Sequence, residues 1–117
     1  MKKINYKRAY IFTNFLLLCM LIIMIGMACN FLVIRSNSMR MPFYSVYDYE
    51  SETHFSYTNS SQIKYWFLSD IVPIGNRLWS MGDLIMLLGV SMFIGVSMFI
   101  VTYVTMYYTK WGIRIKT

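Results

Sequence analysis

The fold is decided by the sequence LIMLLGVSMFIGVSMFIVTYVTMYY, residues 84–108, together with its partner YIFTNFLLLCMLIIMIGMACNFLVI, residues 10–34. Neither run contains Lys, Arg, Asp, Glu or His. At about 1.5 Å per residue, a helix of this length extends roughly 37 Å and exceeds the ~30 Å hydrocarbon core of a bilayer. The two runs therefore predict transmembrane helices at 10–34 and 84–108.

The composition favours a membrane protein over a soluble one. The 117 residues are 57% hydrophobic and 14% charged, which is too apolar for an ordinary soluble domain. A soluble fold would have to bury both runs in one small core with little else to cover them. We therefore expect an all-α membrane protein, a helical hairpin whose 49-residue connection spans 35–83.

The distribution of charge predicts the orientation of this hairpin. The net charge is +6, and all five acidic residues lie in segment 35–83. Basic residues that flank membrane spans remain on the cytoplasmic side, so both tails, 1–9 and 109–117, are expected in the cytoplasm and the connection outside. We expect the tail cations to contact anionic lipid head groups and not nucleic acid. These residues are Lys2, Lys3, Lys7, Arg8, Lys110, Arg114 and Lys116.

The connection is expected to leave the membrane, to continue as a polar and aromatic segment, and to return to the membrane surface as a short helix. Pro42 excludes helix at the residue before it. Apolar residues in 63–72 recur at helical spacing, which predicts a short helix lying in the outer interface. Pro73 would end that helix, and Asp70 would take part in the loop structure.

The start of the second span carries a helix-capping pattern. In Ser80-Met81-Gly82-Asp83, the Ser hydroxyl can accept a free backbone N–H while Asp83 lies in the positive first turn. A proton-carrying Asp83 is the alternative, but the residue lies at the edge of the span.

Small residues in the second span predict a helix-packing face. Ser91 and Gly95 form a small-xxx-small pair, and Gly82 and Gly89, seven residues apart, could continue a flat face. The general abundance of Gly in membrane helices is the alternative explanation. The span also contains a tandem hexapeptide over 89–100, for which the sequence offers no functional explanation.

The sequence predicts no metal site, cofactor or catalytic group. Cys19 and Cys29 lie about 15 Å apart on one predicted helix, too far for a disulfide between them. His54, the single histidine, is expected to be exposed without a fixed partner. Gly26 to Cys29 partly resembles a lipoprotein cleavage site, so lipidation of Cys29 stays open, but Gly26 stands where that site has an aliphatic residue.

Several short motifs occur in a fixed order along the chain. They are Gly26, Asn30-Phe31-Leu32-Val33-Ile34, Met41-Pro42, Leu68-Ser69-Asp70-Ile71-Val72-Pro73 and Ser80-Met81-Gly82-Asp83. In these motifs the chain resembles a family of small bacterial integral membrane proteins that is known only as a domain of unknown function. The resemblance covers roughly residues 26–100, the C-terminal half of typical members, and implies a bacterial cytoplasmic-membrane location and a structured loop. The expected departures from the family are the additional N-terminal hydrophobic helices of typical members and Ser69, which stands where the family tends to have Gly.

Three functions remain open on the sequence alone. The first is a non-enzymatic membrane protein that packs against a membrane-protein partner, as an accessory subunit or an immunity-type protein. The second is a self-assembling, holin-like pore, although a polar stripe that could line it is weak. The third, an enzyme using Asp70, Asp83 and Arg77, is disfavoured because a turn and a helix cap explain both carboxylates. No small-molecule substrate is indicated.

Overall fold

Two long helices form most of the structure, a computed structural model that describes residues 6–115 and the side chains of residues 7–110. Helix α1 is Tyr6–Ser36 and helix α2 is Met81–Ile115. By length and composition, Lys7–Ser36 and Met81–Lys110 could each cross a membrane. The prediction of two long apolar helices is confirmed, and each helix extends several residues beyond the apolar runs 10–34 and 84–108.

The connection between the helices folds into a small unit, which we call the cap (residues 37–80). Strand β1 (Met41–Tyr44) pairs in parallel with β2 (His54–Tyr57), whereas β3 (Val72–Ile74) pairs antiparallel with β4 (Arg77–Trp79). Single 3-10 turns occupy Ser60–Gln62 and Trp66–Leu68. An isolated bridge between Phe43 and Asp70 joins the two halves of the cap. The chain is thus mostly helical but not all-α.

The predicted interfacial helix over 63–72 is wrong. Tyr65 adopts a left-handed conformation with φ of 55°, and the Ser69 N–H bonds to the carbonyl of Trp66, which closes one 3-10 turn. The chain then enters β3, where Val72 lies opposite Trp79. The apolar residues predicted to form a helix therefore lie in a turn and a strand, because pairing with β4 keeps the chain extended through Pro73 to Ile74.

A two-residue turn connects β3 to β4. Gly75 is its first central residue and has a φ of +63°. Two-residue hairpins with a positive φ at this position use glycine because a side chain there would be strained. This turn reverses the chain toward α2.

The two helices pack against each other along a narrow seam. Cys19 and Val33 of α1 are fully buried, and the rings of Phe12 and Phe99 lie 5.7 Å apart between centroids. Elsewhere the apolar side chains are largely exposed, as at Met24 and Met98. The helix pair thus buries one side of each helix and leaves the others open.

Candidate functional site

Glycines bring α1 and α2 into close contact at the end of the hairpin next to the cap. A Cβ added to Gly26 would lie 2.6 Å from the Gly82 carbonyl oxygen and 2.8 Å from the Met86 backbone nitrogen. A Cβ on Gly89 would lie 3.1 Å from the Cys19 carbonyl oxygen. Real Cβ atoms do not approach backbone as closely as 2.6–2.8 Å, so the seam has this form only with glycine at position 26, and the 3.1 Å contact at Gly89 is tighter than most real Cβ contacts.

A polar cluster lies beside the glycine contact. Ser80 and Asp83 cap α2 reciprocally: Asp83 N donates to Ser80 Oγ at 3.0 Å, and Ser80 N donates to Asp83 Oδ2 at 3.3 Å. Asn30 of α1 joins them, since its Nδ2 donates to Asp83 Oδ1 at 2.8 Å and its Oδ1 accepts from Ser80 Oγ at 2.7 Å. The side chains of Asn30, Ser80 and Asp83 each have a hydrogen-bond partner, which polar groups need when they are removed from water.

A second polar feature lies inside the cap. Asp70 is 8% exposed, and its Oδ2 lies 3.6 Å from His54 Nε2. Its Oδ1 is buried without a hydrogen-bond partner among the described residues. Burial raises the pKa of the Asp70 carboxyl from 3.8 to about 6, and the negative charge of Asp83 adds to the rise. This carboxyl therefore changes charge near pH 6.

His54 is better fixed than the sequence suggests. Besides Asp70, it contacts Thr53, whose Oγ1 lies 2.8 Å from His54 Nδ1. The expectation that His54 has no fixed partner is wrong, because β2 pairs with β1, and Asp70 N donates to the carbonyl of Pro42 next to them. Within residues 7–110, no three His, Cys, Asp or Glu side chains are grouped as a metal site would need.

The predicted packing residues fall on two sides of α2. Gly82 and Gly89 face α1, as the contacts above show. At about 100° per residue, Ser91 and Gly95 point roughly 200° and 240° away from Gly89. Both are exposed, and a Cβ on Gly95 would meet nothing within 4 Å.

The remaining predicted residues lie at separate places. Pro42 is fully buried in β1, and Pro73 is exposed in β3. Among the tail cations, Arg8 Nη1 donates to the Tyr103 hydroxyl at 3.3 Å, and Lys7 and Lys110 are exposed. The others, Lys2, Lys3, Lys116 and the side chain of Arg114, lie outside the described residues.

Sequence reasoning missed two asparagines that organise the structure. The sequence does not decide whether Asn30 contacts lipid head groups or bonds to the other helix, and in the structure it links Ser80 to Asp83. Asn37 is buried and donates to the carbonyls of Val33 and Lys64 at 2.7 and 2.9 Å. An Asn at each predicted helix boundary was the available signal, since such residues often cap or bridge.

These features define a class: a small helical hairpin whose two apolar helices could cross a membrane, closed at one end by a folded polar cap. Within that class, the chain belongs to the family described as a family of unknown function (DUF5317), whose sequence model matches residues 8–95. The resemblance noted from the motifs is thereby confirmed, and the match includes nearly all of α1. No curated protein and no solved structure matches the chain.

Proposed function

We propose that this chain is a small, non-enzymatic integral membrane protein that binds a membrane-protein partner through α2 and the cap. An accessory subunit or an immunity-type protein would act in this way. Both helices would span the bacterial cytoplasmic membrane, with the tails in the cytoplasm and the cap outside. The proposal rests on the family membership, the two apolar helices and the surface described next.

The observation that carries the proposal is a stripe on the side of α2 turned away from Gly89, in which Met98 is the one large residue among small and weakly polar ones. Measured from Gly89 at about 100° per residue, its members lie within roughly 160° to 240° around the helix. All of them are exposed, and lipid-facing surfaces do not need such residues, whereas close helix pairs do. The stripe consists of Ser91, Gly95, Met98, Thr102, Thr105 and Thr109.

Two of the three threonines of the stripe favour a packing surface over a water-filled path. Thr102 Oγ1 donates to the Met98 carbonyl at 2.9 Å, and Thr109 Oγ1 donates to the Thr105 carbonyl at 2.8 Å. A hydroxyl that donates to its own helix already has a hydrogen-bond partner, so it can face another helix without a new one. A pore lining would instead offer free polar groups to water.

The cap supplies a second contact surface. Segment 44–49 has four exposed apolar or aromatic side chains, and that of Tyr47 is 84% exposed. Tyrosine is enriched at interfaces because its ring can be buried while its hydroxyl still finds a partner. The bonds that join Asp70 to β1 hold this segment against the rest of the cap. The residues are Tyr44, Val46, Tyr47 and Tyr49.

Crosslinking in native membranes tests the proposal. A photoactivatable amino acid in place of Met98, inside the stripe, should give a defined crosslinked species, whereas the same probe in place of Met24 on α1 should not. Gly95→Leu should abolish the product because it fills the stripe, and Val104→Leu, exposed and about 120° around α2 from Met98, should leave it intact. Recovery of uncrosslinked monomer alone would contradict the proposal.

The holin-like pore is the competing outcome. Crosslinking through Met98 would then give only multimers of this chain, and induced cells would leak a small dye. Intact cells at high expression, together with a crosslinked partner of different mass, would exclude the pore and support the packing role.

A further inference from the structure

A polar cavity of about 500 Å³ lies in the cap beside the last residue of α1. Four segments of chain surround it: 36–38, 45–48, 55–58 and 62–64. Its volume falls within the range of small-ligand sites in proteins, about 300–1,000 Å³. Because α1 ends at Ser36, the cavity lies next to the point where the chain leaves its apolar helix.

The walls of this cavity are held by hydrogen bonds that are buried or part-buried. Asn37 Oδ1 accepts from Lys64 N at 3.1 Å and Asn37 Nδ2 donates to the Lys64 carbonyl at 2.9 Å, which fixes the 62–64 wall to the end of α1. On the other side, Ser45 N donates to the Tyr57 carbonyl at 3.1 Å, and the Tyr57 hydroxyl lies 2.7 Å from Ser69 Oγ. A cavity fixed in this way exists before a ligand arrives, which lowers the entropy cost of binding.

Several lining residues have polar side chains with no intramolecular partner. Within residues 7–110, the side chains of Ser36, Ser38, Thr58 and Gln62 make no hydrogen bond, and neither Asp48 nor Lys64 makes an ion pair. The same cavity thus offers hydroxyl and amide groups together with one acidic and one basic side chain. Phe55 adds an apolar wall.

The two charges specify the ligand. Asp48 is complementary to an ammonium group. Lys64 is complementary to a phosphate, for which Lys is a common point-charge ligand. A cavity of this volume is about 10 Å across, so one small molecule that carries both groups fits inside it.

We propose that the cavity binds a zwitterionic aminoalkyl phosphate, with Asp48 holding the ammonium and Lys64 the phosphate. This chemistry occurs in the ethanolamine head group of a phospholipid and in the free glycerophosphoryl compound. The position of the cavity at the end of α1 suits the first source. The inference does not depend on a protein partner.

Calorimetry on the full chain in an uncharged maltoside detergent tests the inference. Glycerophosphoethanolamine should bind saturably, whereas glycerol 3-phosphate and ethanolamine, which each carry one of the two charges, should bind at least tenfold more weakly. Asp48→Asn and Lys64→Gln should each weaken binding about fivefold to tenfold, as expected for loss of one charge-assisted contact. Glu52→Gln, at an exposed acid that does not line the cavity, should leave the affinity unchanged.

Nanodiscs distinguish the two sources. If discs containing phosphatidylethanolamine weaken the binding of the soluble compound while phosphatidylglycerol discs do not, the lipid head group occupies the cavity. Equal affinity in both discs supports a free ligand of the same chemistry. The inference is overturned if no saturable binding occurs up to 10 mM, if glycerol 3-phosphate binds as well as the zwitterion, or if Asp48→Asn has no effect while circular dichroism shows an intact fold. None of these outcomes bears on partner binding through α2.

Discussion

Replacing Gly26 with alanine tests the glycine contact most directly. The added Cβ would lie 2.6 Å from the Gly82 carbonyl oxygen and 2.8 Å from the Met86 nitrogen, and neither backbone atom can rotate away. Carbon–oxygen contacts between helices normally lie at about 3.3–3.6 Å, so the helices must separate locally by roughly 0.7 Å. A gap of this size forfeits a quarter to a half of the dispersion energy of each affected contact.

The expected cost of Gly26→Ala is about 2 kcal/mol, within the range for overpacking a closely packed site. Alanine also favours helix by roughly 1 kcal/mol over glycine, which reduces the net loss. Gly95→Ala is the matched control, because its Cβ would meet nothing within 4 Å and only the gain in helix propensity applies. The two variants should therefore differ in unfolding free energy by about 2 kcal/mol.

The assay is an SDS titration in mild detergent, following energy transfer between dyes on Lys7→Cys and Lys110→Cys. Cys19 and Cys29 are replaced by alanine in every variant, so their contribution cancels. The midpoint should fall for Gly26→Ala and should hold or rise for Gly95→Ala. Equal midpoints for the two variants would refute the close approach of α1 and α2 at Gly26.

Two further predictions concern the polar groups. Asn30→Ala should lower the unfolding free energy by about 1 kcal/mol in the same titration, because Ser80 Oγ and Asp83 Oδ1 each lose their bond to Asn30. An unchanged midpoint would contradict the bridging role of Asn30. The pKa of Asp70 is raised from 3.8 to about 6, so the folded state binds this proton more tightly than the unfolded state, and stability should fall as pH rises through 6. At about 1.4 kcal/mol per pKa unit, the loss is at most ~3 kcal/mol. Melting temperature measured from pH 4 to pH 7.5 should show this decline in the natural chain and a flatter profile in Asp70→Asn, and parallel profiles would contradict it.

Features that depend on local pattern could be predicted from the sequence. Uninterrupted apolar length identified both helices, because a bilayer-length run needs no knowledge of its neighbours. The spacing of Ser80 and Asp83 predicted a helix cap, because a capping box is formed by residues three apart. In the structure Asp83 N donates to Ser80 Oγ as this cap requires. The seven-residue separation of Gly82 and Gly89 likewise placed them on one side of the helix.

Features that depend on pairing between distant segments could not be predicted. Strand β1 pairs in parallel with β2, and the side chain of His54 meets that of Asp70 only because the chain between them returns across β1. The apolar spacing in 63–72 fits a helix as well as a turn followed by a strand, and pairing with β4 decides between them. Such pairing is set by the packing of the whole cap, which no local window contains.

The polar cluster explains how a glycine seam can have one register. Small residues let two helices approach closely, but contacts between smooth surfaces are similar before and after a shift along the axis. Asn30 lies one turn from Gly26 and bonds both members of the α2 cap, and these bonds are directional. A shift of one turn would break both and leave part-buried groups unpaired, which costs about 1 kcal/mol, as for Asn30→Ala. The first turn of α2, and with it the orientation of the stripe that includes Gly95, is therefore fixed relative to α1 by the end of the hairpin that carries the cap.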